Sequence, residues 1–423
     1  MDNGILQQSS SEAVEITNYS GIGKLLLDAK PDAVNGLVQI DVGDINIGQA
    51  SAGSVINVDL ANNNKINSLD SNKAEENLNL IAKKIKLTNN NGNLTGTLHL
   101  QEGLITPAAS ATLNFDAVNQ GYAENIYIDT SDTETMNAMR NIGAASIISW
   151  RQEDSTLSNR LGSLRETQGE QGIWVRMNRG KYEYANALHG QYNFFQLGYD
   201  KAFGSWHYGA AISHNDGKTS YVNGKGNNDS TSLSLYSTWL GSKGHYADIV
   251  LKEGRLHTDY DISAAAGFTH GKYNNWGTAL SGEYGQKIDC KDFYVTPQVQ
   301  VSFMRIGGKN YTTDNNIAVK QDSLYSTLVR IGIELGKDIA DKGNVYLRTS
   351  LLHEFAGNAD THLSLNGIDN SYEQSIGNTW YELGLGFNYK TAGNSYLYAD
   401  VAKTFGDDYR TPWQWNIGMR WDF

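Results

Sequence analysis

The chain has 423 residues, a net charge of −12, 44 Gly, 4 Pro, one Cys, 9 Trp and 24 Tyr, and 39% of it is hydrophobic. The lone Cys290 excludes a disulfide framework or a thiolate metal cluster. No run approaches the roughly 18 apolar residues of a membrane-spanning helix, and negative charge without a basic patch argues against nucleic acid.

The start, MDNGILQQSS, has neither the basic nor the apolar region of a signal peptide. Composition then changes along the chain. All nine Trp lie at or after Trp150, 21 Tyr lie at or after Tyr182, and no Arg precedes Arg140. Residues 1–130 hold 7 Lys against 15 Asp and Glu, while the remainder holds 27 basic and 31 acidic groups. Two regions under different constraints follow.

Residues 1–130 read as brief strands, at 37–42, 45–47, 54–58, 85–87 and 94–98, broken by Asn, Gly and Asp. Strands this short, with few aromatics and no Cys, suit a short parallel β-helix-like segment; a small antiparallel β domain is the alternative. No strict repeat is visible. Residues 73–87 have room for a helical turn or two.

Residues 131–166 read as one helix. Ser131-Asp132-Thr133-Glu134 fits a capping box, with Ser131 as the cap and Glu134 reaching back. Met136, Met139, Ile142, Ile147 and Trp150 keep helical spacing. About 30 residues span roughly 45 Å. Arg140, Arg151, Glu153, Asp154 and Arg160 nevertheless forbid lipid, so the helix requires water or a polar pore.

Residues 167–423 repeat a two-residue period. Trp413, Trp415, Ile417, Met419, Trp421 and Phe423 alternate with Gln414, Asn416, Gly418, Arg420 and Asp422. About twelve such runs occur, near 171–184, 188–203, 205–216, 229–241, 244–258, 272–287, 292–306, 322–337, 343–356, 378–391, 394–406 and 412–423. Each is long enough for a tilted strand to cross a bilayer. Short turns at 203–205, 241–244, 341–344 and 392–394 alternate with longer polar loops near 217–228, 259–271, 307–321 and 357–377. An even strand count with this alternation predicts an all-β fold, an antiparallel transmembrane β-barrel of about twelve strands. Tyr and Trp near strand ends suit interfacial girdles. Pro297, inside a strand, should mark a bulge or a local break in pairing.

Several motifs resemble the autotransporter β-domain. Gly172-Ile173-Trp174-Val175-Arg176 is similar to its first strand, Leu197-Gly198-Tyr199-Asp200 to its second and Arg330-Ile331-Gly332 to its eighth. Residues 380–386, 398–406 and 413–423 resemble its last three strands, and Leu161-Gly162-Ser163-Leu164-Arg165 the end of its linker helix. The resemblance covers about 131–423. It implies a twelve-stranded Gram-negative outer-membrane barrel over 167–423 with the linker α-helix, 131–166, in its lumen, a unit that supports export and surface display of its own passenger and anchors it, with 1–130 as the passenger's C-terminal end. Ile417, Met419, Trp421 and Phe423 resemble the signal read by the barrel-assembly machinery. Implied partners are outer-membrane lipid, that machinery and periplasmic chaperones, with no nucleic acid, and the barrel is expected to be a monomer. With no signal peptide and little passenger, the chain is expected to be a piece of a longer protein.

Inward charged positions on the strands are Arg176, Asp200, Asp248, Lys252, Glu283, Arg330, Glu334, Arg348, Glu354, Glu382, Asp400, Arg420 and Asp422. They either hold the helix and set conductance or merely neutralise one another in a wet lumen. No cofactor, metal or enzymatic site is expected. Gly-x-Ser-x-Gly and His-Glu-x-x-His are absent, and His353-Glu354 lacks a second His. The nine His read as loop or girdle residues. Asp407-Asp408 is too short for calcium, and Gly307-Gly308-Lys309 lacks Walker spacing. Some members of the family cut the passenger at an Asn-Asn junction; the helical segment offers only Asn137, Asn141 and Asn159. Competing readings are an adhesin whose binding lies in 1–130, a general outer-membrane pore, and an outer-membrane protease.

Overall fold

The computed structural model describes residues 4–32, 35–61, 69–89, 94–115, 120–154, 156–161, 170–339, 342–355, 357–391, 393–406 and 408–423. The first strands are β1 (Ile5–Gln8), β2 (Val14–Tyr19), β3 (Ile22–Leu27), β4 (Lys30–Asp32), β5 (Leu37–Gln39), β6 (Ile45–Ala50) and β7 (Ser54–Leu60). Then come α1 (Ala74–Ala82), β8 (Ile85–Leu87), β9 (Leu94–Leu100), β10 (Ala109–Phe115) and β11 (Gly121–Ile128). Pairing is parallel along β1-β3-β7-β9 and along β2-β6-β8. Leu25 stands opposite Val58 and Val58 opposite Leu98, so like side chains stack into one buried column. The stacked positions lie 33 and then 40 residues apart. The longer circuit carries α1, so the sequence shows no fixed repeat. Asn77 of α1 is buried and accepts the Val38 N–H at 2.6 Å, satisfying a strand group that has no ladder partner there.

The expected single helix is two: α2 (Glu134–Gln152) and α3 (Leu157–Leu161). The cap also differs. Thr133, not Ser131, caps α2, its Oγ1 accepting the Met136 N–H at 3.1 Å while its hydroxyl donates to Leu104 O at 2.7 Å. Ser131 donates instead to Asp129. Glu134 does not reach back; its carboxylate accepts the Ala265 N–H at 2.8 Å, and its own N–H donates to Glu102 at 2.6 Å. A capping box serves a helix end that has only its own residues; here the end is docked, and neighbouring segments supply the partners. The break follows Arg151, whose carbonyl accepts the Asp154 N–H at 2.9 Å in a tighter turn. Thr156 then restarts the helix by accepting the Asn159 N–H at 3.2 Å. The Asp and Thr side chains around this point compete for backbone groups and favour a boundary. Residues 162–165 of the linker motif lie outside the described residues.

The barrel strands are β12 (Gln171–Tyr184), β13 (Leu188–Phe203), β14 (Trp206–Tyr221), β15 (Gly224–Leu240), β16 (His245–Ala264), β17 (Gly267–Gln286) with its continuation β18 (Ile288–Cys290), and β19 (Phe293–Ile306). After β20 (Lys309–Thr312) and β21 (Ala318–Gln321) come β22 (Leu324–Asp338) and β23 (Gly343–Glu354). After β24 (Ala359–Leu365) and β25 (Ile368–Gln374) come β26 (Thr379–Lys390), β27 (Ser395–Gly406) and β28 (Tyr409–Asp422). Twelve strands pair antiparallel in a closed ring, with β12 against β28 and β17 against β19. The alternation is inverted relative to a soluble sheet: Ile331, Ile333 and Leu335 are 59%, 50% and 46% exposed, whereas Arg330 and Glu334 are 4% and 6% exposed. A belt of this kind faces lipid and the polar face fills the lumen.

Two of the four expected long loops are not loops. Residues 217–228 and 259–271 are mostly strand, reversing in tight turns at 222–223 and 265–266. Their outward side chains are mostly polar, Val222 and Phe268 excepted, so the apolar half of the alternation fades although the ladder continues. The other two carry β20, β21, β24 and β25, which form a separate four-stranded sheet.

Pro297 breaks pairing as expected. The β17–β19 ladder runs to Gly285 opposite Gln298, skips the Pro, and resumes at Ile288 opposite Val295 in unchanged register. The register on the β22 side passes straight through.

The girdle reading of Tyr is only partly right, because many turn inward against a directly opposed Gly. Such Gly–aromatic pairs include Gly190–Tyr182, Gly198–Trp174, Gly209–Tyr236, Gly271–Tyr260, Gly285–Tyr246, Gly336–Tyr294, Gly386–Tyr346 and Gly418–Tyr398. A Cβ on any of these glycines would come within 2.0–2.6 Å of the ring, closer than contact allows. Missing side chains thus make room for rings lying flat on the inner wall. His207 is likewise buried rather than a loop or girdle residue.

Candidate functional site in the barrel lumen

Burial forces every charge inside the ring to find a partner. Two arginines of the helices do so across the lumen. Arg160 donates to both Asp248 oxygens, at 2.6 and 2.7 Å, and stands over the Tyr236 ring at 4.2 Å. The Thr238 hydroxyl donates to the same Asp248 at 2.6 Å. Arg151 lies 3.3 Å from Glu354 and packs against the contacting rings of Trp380 and Tyr409, 4.8 Å from each.

Polarity reverses at the helix break. Lys252 of the wall approaches Glu153 at 3.5 Å and Asp154 at 3.4 Å, and donates to Trp150 O at 3.0 Å. A cation at the C-terminal end of α2 suits the helix dipole. Glu283 accepts the Leu157 N–H at the start of α3 at 3.2 Å; the Tyr246 hydroxyl at 2.6 Å and Arg330 at 3.2 Å hold it there. Asp400 accepts the side-chain amides of Asn159 and Asn416, each at 2.8 Å. Arg176 donates to Glu153 O at 3.4 Å, and Arg348 to the Thr156 hydroxyl at 3.3 Å.

Seven sequence candidates therefore touch the helical segment: Arg176, Asp248, Lys252, Glu283, Arg348, Glu354 and Asp400. Arg330 and Glu382 act one step back, holding Glu283 and Arg348. Glu334 meets the Tyr294 hydroxyl at 3.2 Å. Asp200, Arg420 and Asp422 form a cluster of the wall alone. There Arg420 reaches both Asp200 oxygens at 2.7 Å and Asp422 at 2.6 Å. Charge alone misses the neutral partners, among them Tyr398, which donates to Arg160 O at 2.6 Å, Asn416, which donates to Asn159 O at 2.9 Å, and Thr156, which caps α3. Inward register would have found Tyr398 and Asn416. Around the helices a cavity of about 100 Å³ remains, lined by Arg151, Asp154, Arg176, Gln300 and Tyr409 among others. That volume has room for a few waters but not for an extended polypeptide.

A helix threaded through a closed twelve-stranded ring is the arrangement that decides the comparison. Residues 173–402, more than half of the chain, match the Autotransporter beta-domain family. The chain belongs to the autotransporter family. It is 30% identical over 304 residues to the pertactin autotransporter of Bordetella parapertussis, covering 68% of this chain and 32% of that protein. It is 29% identical over 286 residues to the BrkA autotransporter of Bordetella pertussis, covering 64% and 28%. The chain thus spans about a third of the length of these relatives. The solved β domain of BrkA shares the fold at a TM-score of 0.51 and 24% identity, over 60% of this chain and 100% of that one. The transport unit of AIDA-I from Escherichia coli does so at 0.51 and 16%, over 69% and 100%.

Membership makes this barrel an autotransporter β-domain, an outer-membrane protein of a Gram-negative bacterium. Its mouth is covered. The sheet of β20, β21, β24 and β25 meets the top of α2, where Arg140 donates to Glu373 O at 3.2 Å and stands over Tyr372 at 5.3 Å. Asn370 of the same sheet donates to Ile105 O at 2.9 Å. Leu104 and Ile105 pack with this mouth and not with the core of the N-terminal strands. At the far end, the Phe423 N–H donates to Gln171 O at 2.9 Å across the β12–β28 seam, and the side chains of Ile417, Trp421 and Phe423 face outward.

Proposed function

We propose that this autotransporter adopts the state that follows export, with the end of its own export route serving as plug and tether. The observation that carries it is the pair of buried ion pairs, Arg151–Glu354 and Arg160–Asp248, fixing the helical segment to two separate stretches of wall, β23 and β16. Residues 1–130 are then the surface-displayed C-terminal end of the passenger, 131–166 the linker, and 167–423 the translocator. The lumen charges serve retention: each helical charge meets a wall partner, and the wall residues left over pair among themselves. No catalytic role is needed for any of them. Ile417, Met419, Trp421 and Phe423 form the signal for the assembly machinery, with periplasmic chaperones guarding the unfolded chain. The unit works as a monomer.

Planar-bilayer recordings of the full chain and of a chain lacking 131–166 test the plug. A marked conductance rise on deletion is expected; equal conductance overturns it. Deletion of Phe423 should lower surface levels, and normal levels would remove the signal assignment.

A further inference from the structure

No cluster of cations is evident along the sequence, yet strand register gathers one on the outside of the barrel. Lys181 of β12 stands directly opposite Trp413 of β28 on one side and Gln191 of β13 on the other. Arg179 is the next outward residue on β12, opposite Trp415. Lys403 is the next outward residue on β27 after Val401, which stands opposite Trp415. Arg179, Lys181, Lys403 and Trp413 are all exposed. Neighbouring strands are about 4.8 Å apart, so the backbones of Lys403 and Lys181 stand about 10 Å from each other on either side of Trp413, with the Lys403 ammonium resting 5.2 Å from the centre of the Phe405 ring. Among the described residues none of these three cations is ion-paired; Glu183, on the same face, lies 3.8 Å from His189 instead.

Height fixes what such a cluster meets. Arg179 and Lys181 lie eight and ten residues along β12 from Gln171, and Lys403 eight along β27 from Ser395. A strand rising about 3.3 Å per residue and tilted by about 40° climbs about 2.5 Å per residue. The three cations therefore sit roughly 20–25 Å above the short-turn rim. That is the top of an apolar belt about 25 Å tall, on the side facing the cell exterior. Indoles settle at this headgroup level. Unpaired Arg and Lys beside a flat aromatic surface match a phosphate on a lipid, because guanidinium bonds phosphate oxygens in pairs and ammonium adds point charge. In a protein of net charge −12 this is a local exception.

We infer that Arg179, Lys181 and Lys403, around Trp413, bind the phosphate of a phosphorylated glycolipid in the outer leaflet. The occupant is a lipid and not free phosphate, since the apolar belt continues directly below the cluster through Met177 and Val401.

The test uses the full chain refolded in zwitterionic detergent, with heat-modifiable migration as the folding check. Native mass spectrometry compares binding of bis-phosphorylated lipid A with the same lipid enzymatically dephosphorylated. At least a tenfold preference for the phosphorylated form is expected. Arg179→Gln/Lys181→Gln/Lys403→Gln should abolish that preference, while Lys201→Gln/Lys337→Gln/Lys390→Gln, near the opposite rim, should keep it. Equal binding of the two lipids by the unaltered chain overturns the inference, as does equal loss in both triple variants. Competition by inorganic phosphate at the same phosphate concentration overturns the lipid assignment. If the first triple variant fails to fold, the two-lipid comparison on the unaltered chain and the single Lys181→Gln variant decide.

Discussion

The N-terminal strands and the barrel obey the same two-residue alternation with opposite polarity. In the first, Leu25, Ile47, Val58 and Leu98 are buried and polar residues face out. In the second, Arg176, Arg348 and Arg420 are almost wholly buried while Leu385 and Val401 are 57% and 55% exposed. The solvent differs, not the rule: water surrounds the stacked strands, and lipid surrounds the barrel. What holds each together differs accordingly, with apolar burial in the one and closed hydrogen bonding plus paired lumen charge in the other.

Charge removal should separate the regions most. Arg420→Ala leaves Asp200 and Asp422 buried without their cation, and a loss of about 3–5 kcal/mol is expected. Lys30→Ala in the exposed Lys30–Asp41 pair, at 3.2 Å, should cost no more than about 1 kcal/mol. Denaturant titration in detergent reads both, and equal losses would break the comparison. Next comes an outward charge. Ile331→Arg should cost about 2–4 kcal/mol at the lipid face, whereas Ile22→Arg, at a position 57% exposed, should leave stability nearly unchanged. A stable Ile331→Arg variant in bilayer would argue that this face does not meet lipid.

A smaller effect tests the Gly–aromatic pairs. Gly418→Ala places a methyl against Tyr398 and should destabilise by about 1–3 kcal/mol. Gly53→Ala, where nothing lies nearby, probes only its positive φ, a strain of roughly 1 kcal/mol.

The smallest effect concerns the junction. Burial, the largest cause, raises the Glu102 carboxyl above its ordinary 4.5, against the Glu134 N–H bond that lowers it. A raised folded value means that the folded state holds its proton longer, so this group's contribution fades as pH rises from 4.5 through the raised value. The unaltered chain should lose slightly more melting temperature than Glu102→Gln between pH 4.5 and 7. An identical pH response would remove Glu102 from the junction.

Much of this was legible in the residues. About twelve alternating runs, the break at Pro297 and a charged helix that cannot face lipid all follow from periodicity and hydrogen-bonding capacity, which are local. The upper parts of β14 to β17 were not legible, because above the bilayer neither face need be apolar and alternation fades. The helix start moved from Ser131 to Thr133 because Leu104, Glu102 and Ala265 supply partners from distant segments. The irregular spacing of stacked strands hid the parallel pairing, since inserted turns vary freely where only the inward column is constrained.

Sequence by itself determined the inverted alternation, the strand number and the charges that could not face lipid, because side-chain period and backbone hydrogen bonding act between near neighbours. Only the tertiary structure decided which charges meet. Arg160 finds Asp248 across 88 positions, and Arg151 finds Glu354 across 203. Lys181 and Lys403 come to flank Trp413 because ring closure, not sequence proximity, makes β12 and β28 neighbours.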